Sequence, residues 1–155
     1  MARQLYDLAA AEPERRFSPY CWRVKMALAH KRLPFDTIPW RFVEKDAIAF
    51  SGQTRVPVLI DGDQVVSDSW KIATYLEDNY ADRPSLFRGD GGRAATRFVN
   101  AWADVVLVGG IVRLIATDIP RSQEPASPQH SAHERFGRHA PRYRLSSLPR
   151  IPAAS

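Results

Sequence analysis

The sequence predicts an α/β domain over its first eighty-odd residues, followed by the start of an all-α domain. Three observations carry that prediction. Short strand-like segments alternate with segments of helical period as far as Asn79. The two helical segments among them open on good capping residues, Ser18 and the run Ser67-Asp68-Ser69. After Pro84 a single long helical pattern appears with no strand in it.

Leu5-Tyr6-Asp7-Leu8 is short and alternating and reads as a strand. A loop from Ala9 to Phe17 follows, broken by Pro13. Ser18-Pro19 predicts a helix start, with serine as the cap and proline at the first helical position, where its missing N–H costs nothing. That helix runs through Trp22, Val24, Ala27 and Leu28 to about Lys31, its basic end suiting the negative pole of the dipole. Phe35 to Trp40 reads as a second strand interrupted by Pro39, and Glu44 to Phe50 as a short helix. Val56 to Ile60 is a third strand, turned by Asp61-Gly62-Asp63 into its hairpin partner Gln64-Val65-Val66. A helix over about Trp70 to Asn79 places Ile72, Ala73 and Leu76 on its inner face. The order βαβ-α-ββα is that of a thioredoxin-like α/β domain.

The remainder differs in kind. Residues 1–84 form the predicted α/β domain, residues 85–119 begin a helical one, and residues 120–155 are a Pro/Arg/Ser-rich tail. Phe98, Trp102, Val105, Val112 and Ile115 recur at helical spacing, with Gly109-Gly110 as close packing, a bend or a break. The tail holds six of the twelve prolines and loses all periodicity, so it is expected to be disordered. A shift of reading frame near residue 119 explains equally why a helical domain begins and does not close its core.

With 155 residues there is room for one buried core, or a small domain and part of a second. The net charge of +5 invites a nucleic-acid reading, but residues 1–119 carry 16 basic and 15 acidic side chains, and nearly all the excess lies in the tail. A nucleic-acid partner is therefore not expected. No uninterrupted apolar run of 18 residues exists, so a membrane span is not expected either. The N-terminus lacks a signal-peptide apolar stretch, and one cysteine, Cys21, forms no internal disulfide. The expected compartment is reducing and cytoplasmic. His130, His133 and His139 lack a helix and completing ligands, so no metal is expected there.

Three stretches carry candidate chemistry. In a thioredoxin-like domain the first helix start, Phe17-Ser18-Pro19-Tyr20-Cys21, faces the site with unpaired N–H groups and the positive end of the dipole. A disulfide oxidoreductase needs Cys-x-x-Cys there, whereas this chain has Ser-x-x-Cys. Ser18 is either a helix cap only or a hydroxyl that stabilises a thiolate carried by a ligand. Cys21 reads as a small buried apolar residue. Thr54-Arg55-Val56-Pro57 is either an ordinary entry to an edge strand or a cis-proline that turns the Val56 backbone outward to pair with an extended peptide. Asp68-Ser69 either cap a helix or hold the ammonium and carboxylate of an amino-acid head group. Taken in order, a thiol activator, a peptide dock and a zwitterion dock describe a site shaped for glutathione.

On these residues the sequence resembles the glutathione S-transferase superfamily, nearest the branch of bacterial lignin β-aryl etherases and related fungal transferases. The likeness lies in Ser18-Pro19-Tyr20, Trp22-Arg23, Arg55-Val56-Pro57-Val58, Asp68-Ser69-Trp70 and the run Tyr80 to Phe87, and spans about residues 4–119. The resemblance implies a homodimer that binds glutathione and a small hydrophobic electrophile. It makes Ser18 the thiolate stabiliser and Val56 the partner of the cysteinyl backbone. Asp68 and Ser69 become the γ-glutamyl site, with Arg55 as an added contact. The glycyl carboxylate is expected near the loop Trp40 to Lys45. Phe17, Tyr20 and Trp102 are the candidates for an aromatic electrophile pocket, possessing core packing as their alternative use. A glutathione-binding protein without useful turnover is the second reading, because the later helices that wall the electrophile pocket are missing.

Overall fold

The computed structural model describes residues 3–119. The expectation of a disordered tail and the three tail histidines lie outside those residues. Strand β1 (Arg3–Leu8) leads through a loop into helix α1 (Pro19–His30), and β2 (Phe35–Trp40) follows. A 3-10 helix, Lys45–Ser51, occupies the predicted short-helix segment. The hairpin β3 (Val58–Asp61) and β4 (Gln64–Ser67) then feeds α2 (Ser69–Asn79). The sheet order is β2-β1-β3-β4. β1 runs parallel to β2 and antiparallel to β3, and β3 is antiparallel to β4. This is a thioredoxin-like mixed sheet of four strands with its helices.

Sequence explains most of the packing. Leu5 of β1, Val24 and Leu28 of α1, Leu59 of β3, and Ile72 and Leu76 of α2 form one buried cluster between sheet and helices. Fully burying each such side chain is worth about 2 kcal/mol. A second cluster, Leu8, Cys21, Trp40, Ile48 and Val58, packs the end of the sheet that lies beside the start of α1. Pro39 does not interrupt β2. It sits opposite Asp7 in the parallel register, on an edge strand where its missing N–H leaves no ladder bond unmade. β3 begins at Val58, two residues later than expected, and the Val56–Pro57 peptide bond before it is cis.

After α2 a buried ion pair anchors the connector. Lys31, fully buried at the end of α1, bonds Glu77 of α2 at 2.7 Å and the Tyr80 carbonyl at 3.1 Å. Glu77 in turn accepts from the Leu86 N–H at 2.9 Å and from the Ser85 hydroxyl. Helix α3 (Asp90–Trp102) then continues through a π-helical stretch, Ala103–Val108, into α4 (Gly109–Ile115). Gly109-Gly110 therefore neither breaks the helix nor admits a close neighbour; a Cβ on Gly110 would meet nothing within 4 Å. The irregularity lies just before the pair, in the wider π turn.

The continuous helix Asp90–Ile115 has a window of mean hydropathy 1.7 and is long and apolar enough, by length and composition alone, to cross a membrane, a property it shares with core helices of soluble proteins. The helix is nevertheless tied to the α/β unit by polar bonds: Arg23 of α1 meets Asp104 at 2.6 Å and Asn100 at 3.0 Å. Its apolar side chains from Phe98 to Ile115 are largely exposed.

Candidate functional site

Ser18 caps α1 with an extended backbone, φ −72° and ψ 119°, and is buried. Its Oγ accepts from the Cys21 N–H at 3.3 Å, so it caps the helix, and its side chain also lies within hydrogen-bond reach of the Cys21 thiol. Cys21 itself is fully buried, and burial pushes its thiol up to about 11, against a smaller downward pull from the Ser18 hydroxyl. A thiol so placed is packing rather than a nucleophile.

Val56 is half-buried and packs against the same cluster as Phe17, the neighbour of Ser18. No hydrogen bond among the described residues occupies its backbone N–H or C=O. Two registers locate it further. Val58 lies opposite Tyr6 on β1 and opposite Ser67 on β4. Val56 lies just before that paired end of β3, beyond the cis bond to Pro57. An unbonded backbone of this kind is what an extended peptide needs for strand-like pairing.

Asp68 is the cap of α2, with φ at +76° and its Oδ1 accepting from the Trp70 and Lys71 N–H groups at 3.0 and 2.9 Å. The side chain is exposed, whereas that of Ser69 is buried. Both border a cavity of about 450 Å³ shared with Tyr20 of α1 and with Arg97, Asn100 and Asp104 of the long helix. Arg97 stacks over the Trp70 ring, 4.9 Å from its centroid, which fixes that wall.

The predicted residues are thus gathered at one end of the sheet in two adjoining groups. Ser18 and Val56 flank the lower core cluster, and Asp68 and Ser69 line the cavity. Arg55 is exposed, with no hydrogen bond or ion pair among the described residues. In the loop after β2, Trp40 donates to the Glu44 carbonyl at 2.7 Å and Arg41 pairs with Glu44 at 2.6 Å, leaving Lys45 exposed.

Of the three aromatic candidates, Tyr20 lines the cavity just described. Phe17 packs against the lower cluster and Trp102 is exposed on α3. The larger cavity, about 810 Å³ between α1, α2 and α3, is walled instead by Trp22, Met26, Trp70 and Phe87. Sequence reasoning missed these as wall residues. Their available signal was an aromatic or methionine on the outward side of a helix whose inward side was already occupied by Val24, Leu28, Ile72 and Leu76. Among the described residues no group of three His, Cys, Asp or Glu is placed to hold a metal ion.

Residues 13–84 match the family model for the glutathione S-transferase N-terminal domain. Glutathione S-transferase Z1 of Arabidopsis thaliana is 35% identical over 94 residues, covering 57% of this chain and 41% of that protein. The crystal structure of glutathione transferase GSTFuA3 from Phanerochaete chrysosporium superposes with a TM-score of 0.69 at 27% identity, covering 79% of this chain and 57% of that one. The glutathione S-transferase CsGST83044 of Ceriporiopsis subvermispora, solved in complex with glutathione, has the same coverage with a TM-score of 0.64 at 23% identity, a likeness of fold. The chain spans about half the length of these relatives. The sequence likeness is thus to the N-terminal domain of glutathione S-transferases.

Proposed function

We propose that this protein binds glutathione and presents its thiolate to a small, aromatic electrophile. The carrying observation is the gathering of Ser18, Val56, Asp68 and Ser69 at the end of the sheet where α1 and α2 both begin. Ser18 donates its hydroxyl proton to the sulfur, and the positive pole of α1 adds to the stabilisation of the anion. The Val56 backbone pairs with the cysteinyl residue as an added strand. Asp68 takes the γ-glutamyl ammonium, Ser69 and the α2 N-terminus its carboxylate, and Arg55 a further contact. The bound thiol gives up its proton to solvent. Its sulfur then forms a C–S bond at the electrophilic carbon while the leaving group, a halide or an aryloxide, departs with the bonding electron pair. Cleavage of an aromatic ether is the finer form of this reading, and rests on the resemblance to the etherase branch. Residues 1–84 are the glutathione-binding domain and residues 85–119 the start of the helical one. The working state is a cytoplasmic homodimer.

A second reading is glutathione binding without useful turnover. It is favoured by the exposed apolar side chains of the long helix, against which no further helix packs among the described residues. Retention on immobilised glutathione with release by the free tripeptide tests the shared premise. Turnover of a chlorinated nitroaromatic then separates the two readings. In Ser18→Ala the rate is expected to fall by about 10²-fold, the scale for loss of one donor to a developing anion, with binding changed little. Unchanged turnover removes Ser18 from the mechanism.

A further inference from the structure

Asp7 of β1 is fully buried. Its Oδ2 meets Lys25 Nζ of α1 at 2.8 Å and the Arg16 guanidinium at 3.2 Å. Its Oδ1 is buried with no hydrogen-bond partner among the described residues. Arg16, two residues before Ser18, is held from every side. Its Nε donates to the Pro13 carbonyl, its own carbonyl accepts from the Trp22 indole at 3.2 Å, and its backbone bridges to Ala9. Lys25 lies 3.5 Å from the centroid of that same Trp22 ring. The interactions close a circuit through Asp7, Arg16, Trp22 and Lys25. A buried carboxylate with one oxygen unsatisfied is a poor way to stabilise a fold, so its use must lie in what it places.

We propose that Asp7 is a positioning residue: through Arg16 and Lys25 it locks the turn that brings Ser18 to the start of α1, and so sets how well the Ser18 hydroxyl meets a bound thiolate. The inference rests on the proposed binding of glutathione. Field and placement act in opposite directions here, which makes them separable. Removing the Asp7 charge alone leaves two cations near the thiolate and, by field alone, favours ionisation of the thiol. Loss of placement disfavours it. Other ionisable groups on the elements meeting there include Tyr6 of β1, Tyr20 and Arg23 of α1, Asp68 and Lys71 at the start of α2, the exposed Arg55, and Cys21, which is buried and neutral beside Asp7.

The test measures glutathione bound to the full chain by the ultraviolet absorbance of its thiolate across pH. The double variant Asp7→Asn with Lys25→Met keeps the circuit's net charge at that of the wild type while removing the anchor. Expected are retained glutathione binding and about tenfold less thiolate at a given pH, the same direction as Ser18→Ala. A thiolate titration that matches the wild type overturns the proposal, as does loss of binding in a folded variant, which would make Asp7 a support of the whole cleft. If the double variant does not fold, Arg16→Lys asks the same question at constant charge. It is expected to give about threefold less thiolate, and an unchanged titration overturns the proposal. Failure of the wild type itself to bind glutathione sinks the reading of function, a result distinct from wild-type binding with unaltered variants.

Discussion

Ser18 is a cap first, its oxygen accepting from the Cys21 N–H at the start of α1. A hydroxyl that accepts there can still donate its proton, so the capping role and the proposed one are not rivals. Cys21 shows the opposite outcome for a residue of greater intrinsic reactivity, since burial removes its thiolate from the chemistry. Gly92 is a residue whose importance only three dimensions reveal. A Cβ there would stand 1.7 Å from the Phe87 carbonyl oxygen, a backbone atom that cannot swing away. Gly92→Ala is expected to destabilise the protein by about 1–3 kcal/mol, read as a lower midpoint in urea with an unchanged slope. A midpoint equal to the wild type would show that the connector adjusts freely.

At the scale of elements, the joint between α1, α2 and the connector adds a buried charge pair to the apolar cluster that Tyr80 and Leu86 join. Burial pushes the Glu77 carboxyl up, but hydrogen bonds from the Leu86 N–H, the Lys31 ammonium and the Ser85 hydroxyl outweigh it, bringing the group down to about 2 from an ordinary 4.5. A carboxyl lowered on folding adds stability that is present above its unfolded value and is lost as pH falls towards its folded one. The window for this group therefore runs from about pH 4.5 down to about pH 2. Glu77→Gln leaves the fully buried Lys31 without its counter-charge and is expected to cost about 3 kcal/mol at neutral pH. Melting points of variant and wild type are expected to converge as the pH is lowered through that window. A gap that persists at pH 2 would assign the effect to packing.

For the whole molecule, the long helix decides behaviour in solution. Val105 and Leu114 are 78% and 82% exposed, on a helix joined to the α/β unit through Arg23, Asp104 and Asn100. Exposed apolar surface on that scale favours association. Replacing both by Glu is expected to reduce the apparent size in sedimentation at high concentration, while shifting stability by no more than about 0.5 kcal/mol per site, as for surface positions. Loss of folding in this variant would mean that the face is packed in solution. The proposed binding of glutathione acts on the molecule as a whole as well. At a hundredfold excess over its dissociation constant it is expected to stabilise the native state by about 2.7 kcal/mol, seen as a higher melting point.

Local chemistry determined much of this protein from the sequence alone. Ser18-Pro19 fixed the start of α1, Asp61-Gly62-Asp63 the hairpin and Asp68 the cap of α2, because caps and turns are satisfied by neighbours a few residues away. The apolar periods likewise placed Leu28, Ile72 and Leu76 in the core. Tertiary structure decided what depends on residues far apart in the chain. It buried Asp7 between Arg16 and Lys25, gave Trp22, Trp70 and Phe87 a shared cavity, and made the Val56–Pro57 bond cis ahead of β3. No local signal separates a strand aspartate that faces water from one that closes a buried circuit. That difference arises only when the sheet, its helices and their connecting loop enclose the same space.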